Sequence, residues 1–255
     1  MTRHRTLAGI AALVAIPVLA ACTGGGGGGT AATPAPPAPS LPSAAAPSEP
    51  ATPSAEPSTE PSTEPSAAAG PVDCPTTQPE PLAAGETRTV TIDTEQGAIE
   101  MQIEADLSPI AAGNFVALAA CGWYDGVVFH RLVPGFVIQG GDGQYGRAPD
   151  VDPNLVGTGG PPYTIQDEEV TATYGRGTVA MARTPAPNSV GSQFFIVTDD
   201  EAEEALSSAN TYQIIGTVTS GMEVVDAIAA MPNSGPPNNA ALEPIPMTDV
   251  SVATP

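Results

Sequence analysis

Apolar and polar residues alternate with a period of two along Thr89–Glu95 (TVTIDTE) and again along Ala98–Glu104 (AIEMQIE). That period puts the apolar set on one face of a strand. The intervening Gln96-Gly97 predicts a tight turn, so the two segments read as a β-hairpin. The period then changes. Ser108-Pro109 offers a helix N-cap followed by a proline at the first helical position, and Ile110, Phe115, Val116, Leu118 and Ala119 form an apolar face before Cys121-Gly122 ends the run. Trp123–Gly126 is a turn into two short strands, Val127–Arg131 and Phe136–Gln139, broken at Pro134-Gly135. Residues 140–162 are rich in Gly, Pro and Asp and predict a long ordered surface loop. Further strands are expected at Tyr163–Ile165, Gly177–Ala182, Phe194–Thr198, Tyr212–Thr219 and Met247–Val252, with a second helix at Glu223–Ala230. Many short strands and two helices predict an all-β fold, a closed eight-stranded antiparallel barrel capped by two α-helices.

The front of the chain follows other rules. MTRHR is a short positive segment, and Leu7–Ala20 is apolar apart from Gly9 and Pro17. This suits the apolar region of a signal peptide and is shorter than the ~20 residues of a membrane-spanning helix. Leu19-Ala20-Ala21-Cys22 resembles the lipobox of bacterial lipoproteins, which implies removal of residues 1–21 and lipidation of Cys22. The expected location is therefore the outer face of the cell membrane, with the lipid as the sole contact with the bilayer. Residues 22–73 are almost entirely Gly, Ala, Pro, Ser, Thr and Glu, a composition that buries too little apolar area to offset backbone ordering, so a disordered tether is expected there. The folded domain is placed at 74–255.

Charge narrows the partners. The formal net charge is −21 and every basic residue is an arginine, which argues against nucleic acid and against electrostatic attraction to anionic lipid. With Cys22 carrying lipid, Cys74 and Cys121 remain, and in an exported protein an even pair suggests a disulfide between the start of the domain and its body. A monomer is expected.

The candidate chemistry centres on FHRLVPGFVIQGGD, residues 129–142, which sets one cation, Arg131, between Phe129 and Phe136 and follows them with Gln139. A second stretch, NSVGSQFFIV at 188–197, repeats the ingredients, and the two are expected to face each other across one groove suited to an extended peptide. Nucleophilic catalysis would have to use His130, since the only other histidine, His4, falls in the leader. Neighbours in a strand point to opposite faces, so His130 and Arg131 cannot share a groove, and His130 is assigned to structure. The same shortage disfavours a zinc site. The acidic run Asp199, Asp200, Glu201, Glu203, Glu204 reads as a solvated loop face, and Gly140–Gly143 lacks the Lys and following helix of a phosphate cradle. No metal and no cofactor are expected. What remains suits a reaction in which no covalent bond is made.

Phe129-His130-Arg131, Pro134-Gly135-Phe136, Gln139-Gly140-Gly141-Asp142, Met181-Ala182-Arg183 and Gly191-Ser192-Gln193-Phe194-Phe195 resemble, in order and spacing, the cyclophilin-type peptidyl-prolyl cis-trans isomerases, over about Val90–Val252. Met-Ala-Arg-Thr at 181–184 is similar to the bacterial branch. The resemblance implies a cyclophilin-like barrel, proline-containing polypeptides as substrates, and Arg131 as the catalytic donor. It also implies that Phe136, Val137, Phe195, Leu206 and Tyr212 hold the proline ring, while Gln139, Gln193, Ala182 and Arg183 hold the extended peptide. A role in folding exported proteins follows, with a non-catalytic Pro-peptide-binding chaperone or envelope adaptor as the alternative. The chain departs from the family at Ala205, where relatives carry Trp or Phe before the pocket Leu, which implies weak cyclosporin binding. Tyr212 stands where many eukaryotic relatives have His, and Val137 where Met is usual.

Overall fold

The computed structural model describes residues 73–253. The expected leader, Cys22 and nearly all of the tether lie outside the described residues.

The hairpin forms as its alternation requires. Strand β1 (Thr87–Thr94) pairs antiparallel with β2 (Gly97–Glu104), and the register sets Val90 opposite Met101 and Ile92 opposite Ile99. These four are fully buried, whereas Glu100 and Gln102 on either side of Met101 are exposed. Helix α1 (Pro109–Ala120) also begins at the expected proline, but Ser108 does not cap it. The Glu168 carboxylate does, accepting from the Ile110 and Ala111 amides at 2.8 and 2.9 Å. A carboxylate on the unpaired amides at a helix start satisfies their hydrogen bonds and opposes the positive end of the helix dipole. Cys121 and Gly122 close the helix through bonds to Ala117 and Ala119, with Gly122 at a left-handed φ of 77°.

The remaining elements are β3 (Val128–Val133), β4 (Val137–Gly140), β5 (Thr178–Met181), β6 (Phe194–Val197), α2 (Ala202–Ala209), β7 (Ile214–Ser220), α3 (Met222–Ala229), β8 (Ala240–Pro246) and β9 (Asp249–Val252). The barrel expectation needs correction. Nine strands form one curled antiparallel sheet in the order β8-β3-β4-β6-β5-β7-β2-β1-β9, and there are three helices among the described residues. The two edge strands are consecutive in the chain. Between them Met247 bonds to Val127 beside β3, and Thr248 donates to Asp93 in β1.

Four elements differ from expectation for physical reasons. Tyr163–Ile165 contributes a single bridge, Ile165 to Val190. Strand β7 starts two residues late because the Tyr212 amide bonds to the Tyr174 hydroxyl instead of a neighbouring strand. Strand β8 hides in sequence because it contains Pro244 and Pro246; as an edge strand it needs few of its own amides. Helix α2 hides because its apolar stripe is two residues, Ala202 and Leu206, one turn apart within an acidic run.

Two apolar clusters share the sheet. The larger, inside the curl, includes Ile99, Met101, Phe115, Phe129, Ile138, Phe194 and Ile196. The smaller lies on the opposite face under α2.

Candidate active site

Residues directly opposite in paired strands show the same face. The register therefore draws one row across the outer face: Arg131 opposite Gln139, Gln139 opposite Phe195, Phe195 opposite Ala180, and Ala180 opposite Ile214. The adjacent row, Leu132, Ile138, Ile196 and Val179, points into the main core. The stretches 129–142 and 188–197 are thus neighbouring strands forming one floor, and do not face each other across a gap as expected.

Phe129 is a second correction. Strict alternation would give it the face of Arg131, two residues on. A β-bulge between Phe129 and Arg131 shifts the phase, so Phe129 enters the main core, with its ring centroid 6.1 Å from that of Phe194, while Arg131 stays outside. His130 is buried behind the strand against the 142–159 loop, with neither ring nitrogen bonded. Burial is the main cause that brings its pKa down from 6.5 to about 4, assisted by Arg131 and opposed by Asp142.

The residues expected around a proline ring gather in the smaller cluster. Val137, Phe195 and Leu206 are buried there with Val197, Ala202 and Ile214, and Phe136, Tyr212 and Ala182 pack against them part-exposed. The Phe195 and Tyr212 rings meet edge-on, centroids 5.4 Å apart. Helix α2 delivers Leu206 to this cluster and leaves Ala205 exposed. Tyr174 was not anticipated. It is fully buried, donates from its hydroxyl to the Tyr212 carbonyl at 3.0 Å and accepts from the Tyr212 amide, so it sets the height of the Tyr212 ring. Its signal was a lone aromatic within a polar stretch, too weak to act on.

Arg131 stands half-buried at the end of this apolar floor. Burial is the main effect lowering its proton affinity, with nearby Tyr212 opposing, and the guanidinium remains charged. Among the described residues it forms no ion pair; its one side-chain bond runs from Nη1 to Gln139 Oε1 at 3.4 Å. Gln139 Nε2 then donates to Gln193 Oε1 at 3.1 Å, and Gln193 Nε2 to the Gly159 carbonyl at 2.9 Å. The chain of donors runs one way and orients both amides. Most of the five N–H donors of Arg131 stay open to the groove.

Beside this chain lies a cavity of about 470 Å³, lined by Gln139, Gln193 and Ala182 together with Gln144, Gly159 and Tyr163. The Ala182 amide is already bonded to the Gln193 carbonyl. Arg183 also lines the cavity, and its side chain pairs with Asp167 at 3.0 Å and donates to the Ala186 carbonyl at 2.8 Å. The far wall is the 142–159 loop, pinned by the buried Asp142 carboxylate, which accepts from the amides of Gln144, Tyr145, Gly157 and Gly159. A Cβ on Gly159 would lie 2.4 Å from Asp142 Oδ1, so glycine is required there. Asn114, another residue not foreseen, reaches from α1 to the Gly191 carbonyl and accepts from the Tyr163 hydroxyl, both at 2.8 Å. Among the described residues no three His, Cys, Asp or Glu side chains could hold a metal ion.

The site is an apolar patch, one cation without an ion-pair partner among the described residues at its end, and a polar trough alongside. Residues 89–252 match the model of the family described as cyclophilin type peptidyl-prolyl cis-trans isomerase. The chain is 39% identical over 148 residues to a probable peptidyl-prolyl cis-trans isomerase of Brucella abortus, covering 57% of this chain and 74% of that one. It is 35% identical over 169 residues to peptidyl-prolyl cis-trans isomerase A of Dickeya dadantii, covering 65% and 85%. The crystal structure of a Cryptosporidium parvum cyclophilin type isomerase aligns with a TM-score of 0.54 at 28% identity, covering 67% of this chain and 99% of that one. The same protein in the presence of the dipeptide Ala-Pro aligns at 0.53. This chain belongs to the cyclophilin-type peptidyl-prolyl cis-trans isomerase family.

Proposed function

We propose that Arg131 is the catalytic group of this isomerase and that the chain works at the cell surface on exported polypeptides. An X–Pro amide resists rotation by ~18–20 kcal/mol because the nitrogen lone pair is delocalised into the carbonyl. As the bond twists, that lone pair returns to nitrogen and becomes a hydrogen-bond acceptor. A donor placed to meet it acts on the twisted state more than on the planar one, which is the condition for raising the rate. The observation that carries this reading is Arg131 at the end of the row that runs through Gln139 to Phe195, with no carboxylate partner among the described residues.

The proline ring sits on Phe136, Val137, Phe195, Leu206 and Tyr212, and the polar side chains Gln139 and Gln193 align the peptide on either side. Ala-Pro, the dipeptide of the Cryptosporidium structure, is a fitting minimal substrate for this chain as well. Exposed Ala205 leaves no aromatic lid beside Leu206, which supports weak cyclosporin binding. Replacing Arg131 with Ala lowers kcat/KM by about 10²–10³, the usual cost of losing one transition-state donor. A coupled assay on an Ala-Pro peptide measures it, and an unchanged rate removes Arg131 from the mechanism.

Placement rests on Leu19–Cys22. Lipidated Cys22 leaves the isomerase on a stalk of some fifty residues, anchored by the lipid alone. In a bacterial host that processes the leader, the chain partitions into detergent and Cys22→Ser moves it to the aqueous phase. A Cys22→Ser chain that stays with the membrane contradicts the anchor.

A further inference from the structure

The proline patch and the trough beside it are built from different parts of the chain, and Gln213 joins them. Its neighbours Tyr212 and Ile214 belong to the apolar cluster that floors the groove. Gln213 itself is fully buried, and a buried amide is costly unless its N–H groups are met. Both are met. Nε2 donates to the Gln166 carbonyl at 3.1 Å and to Glu168 Oε2 at 2.9 Å. We infer that Gln213 is a positioning residue that locks the 163–168 wall of the trough to the proline patch, and so sets how much binding a substrate gains from the residues flanking its proline. This rests on the reading of the groove as an X–Pro site.

The chemistry of its surroundings fixes the orientation of the amide. Turned over, Oε1 would face a carbonyl and a carboxylate, both acceptors. Oε1 makes no bond among the described residues, so Nε2 alone holds the group. Its two targets lie on either side of Asp167. That carboxylate pairs with Arg183 at 3.0 Å and accepts from the Asn188 amide at 2.9 Å, while the Asp167 amide donates to Asn188 Oδ1 at 2.9 Å. Residues 163–168 and 183–189 are thereby tied to each other, and Tyr163, Thr164, Arg183 and Ser189 from these segments line the cavity.

This wall has little structure of its own, since residues 163–168 contribute only the Ile165–Val190 bridge to the sheet. Among the described residues, its side-chain links to the 211–213 segment are the two Gln213 bonds and a longer one, Arg183 Nη1 to the Thr211 carbonyl at 3.4 Å. The Gln213 bonds come from a buried donor and one ends on a carboxylate, so they are the stronger. The proline patch keeps supports of its own. Tyr174 holds Tyr212 through both its amide and its carbonyl, and Arg131 and Phe195 stand on β3 and β6, to which the Gln213 side chain makes no hydrogen bond. Loosening the wall therefore acts on the flanks of the substrate and spares the twisting bond. Contacts equally strong in the planar and twisted states move KM and not kcat.

Two substrates test this on the full chain: a blocked Ala-Pro dipeptide, and the same bond with three further residues on each side. Wild type has the lower KM for the longer peptide. In Gln213→Leu, which keeps the bulk and removes both donors, that KM rises about tenfold with kcat unchanged, on the scale of one lost hydrogen bond, and kcat/KM for the dipeptide stays within about twofold of wild type. Ile99→Val, a change in the main core, serves as the control for lost stability and leaves the ratio between the two peptides unchanged. If Gln213→Leu does not fold, Gln213→Asn, which draws the amide back by one methylene, is read in the same way. An equal loss on both peptides, or none on either, overturns the positioning role. A wild type that gains nothing from the longer peptide overturns it too and leaves the activity standing. Failure of wild type to isomerise either peptide overturns the reading of the groove itself.

Discussion

Arg131 and His130 are sequence neighbours with opposite fates, and the bulge in β3 separates them. Arg131 keeps an open face toward the groove, while His130 is enclosed with both nitrogens unbonded. A histidine buried neutral gives the fold an acid weakness. Folding holds its pKa at about 4, below the ordinary 6.5, so the unfolded chain takes up the proton first as pH falls. Its contribution is fully present above about pH 6.5 and is lost on descending toward pH 4, up to about 3 kcal/mol. Urea unfolding from pH 7.5 to 4 on wild type and His130→Leu checks this, since the variant lacks that component of the slope. A wild-type minus variant difference that stays flat across this range excludes it.

Among elements, α1 shows most clearly how a local signal is replaced by a distant one. The Ser-Pro start is real, yet the cap comes from Glu168, which also accepts from Gln213 Nε2 at 2.9 Å. Glu168→Ala leaves two helix amides and the buried Gln213 without that partner. A loss of roughly 1–3 kcal/mol is expected in denaturant titration, on the scale of a lost cap plus an unsatisfied buried amide. Full stability in this variant would return the capping role to Ser108. Phe136, Val137 and Phe195 were marked by the family resemblance, and they gather in one apolar cluster. The roles of Tyr174 and Asn114 were not legible, because each acts through a partner 38 to 77 residues away.

At the scale of the molecule, residues 74–86 form an arm across α1. Its backbone passes so close that a Cβ on Gly113 would lie 2.4 Å from the Glu80 carbonyl oxygen, and the Leu82 amide bonds to Pro109. The Cys74–Cys121 bridge, with a sequence separation of 47, holds the first residue of the arm. Closing a loop of that length stabilises the fold by about 4 kcal/mol in the chain-entropy account. The double variant Cys74→Ser, Cys121→Ser should therefore melt well below wild type under non-reducing conditions, and an equal Tm would show that the arm holds without its staple. The alternation of β1 and β2, the proline start of α1 and the Arg131–Phe136–Gln139 spacing were all legible from residues alone, since each is set by neighbours a few positions apart. The tertiary structure alone decided the nine-strand order, the face taken by Phe129, the cap on α1 and the wall of the cavity. Register, bulges and carboxylate partners are chosen by contacts distant in sequence, and a local pattern of apolar and polar residues carries no record of them.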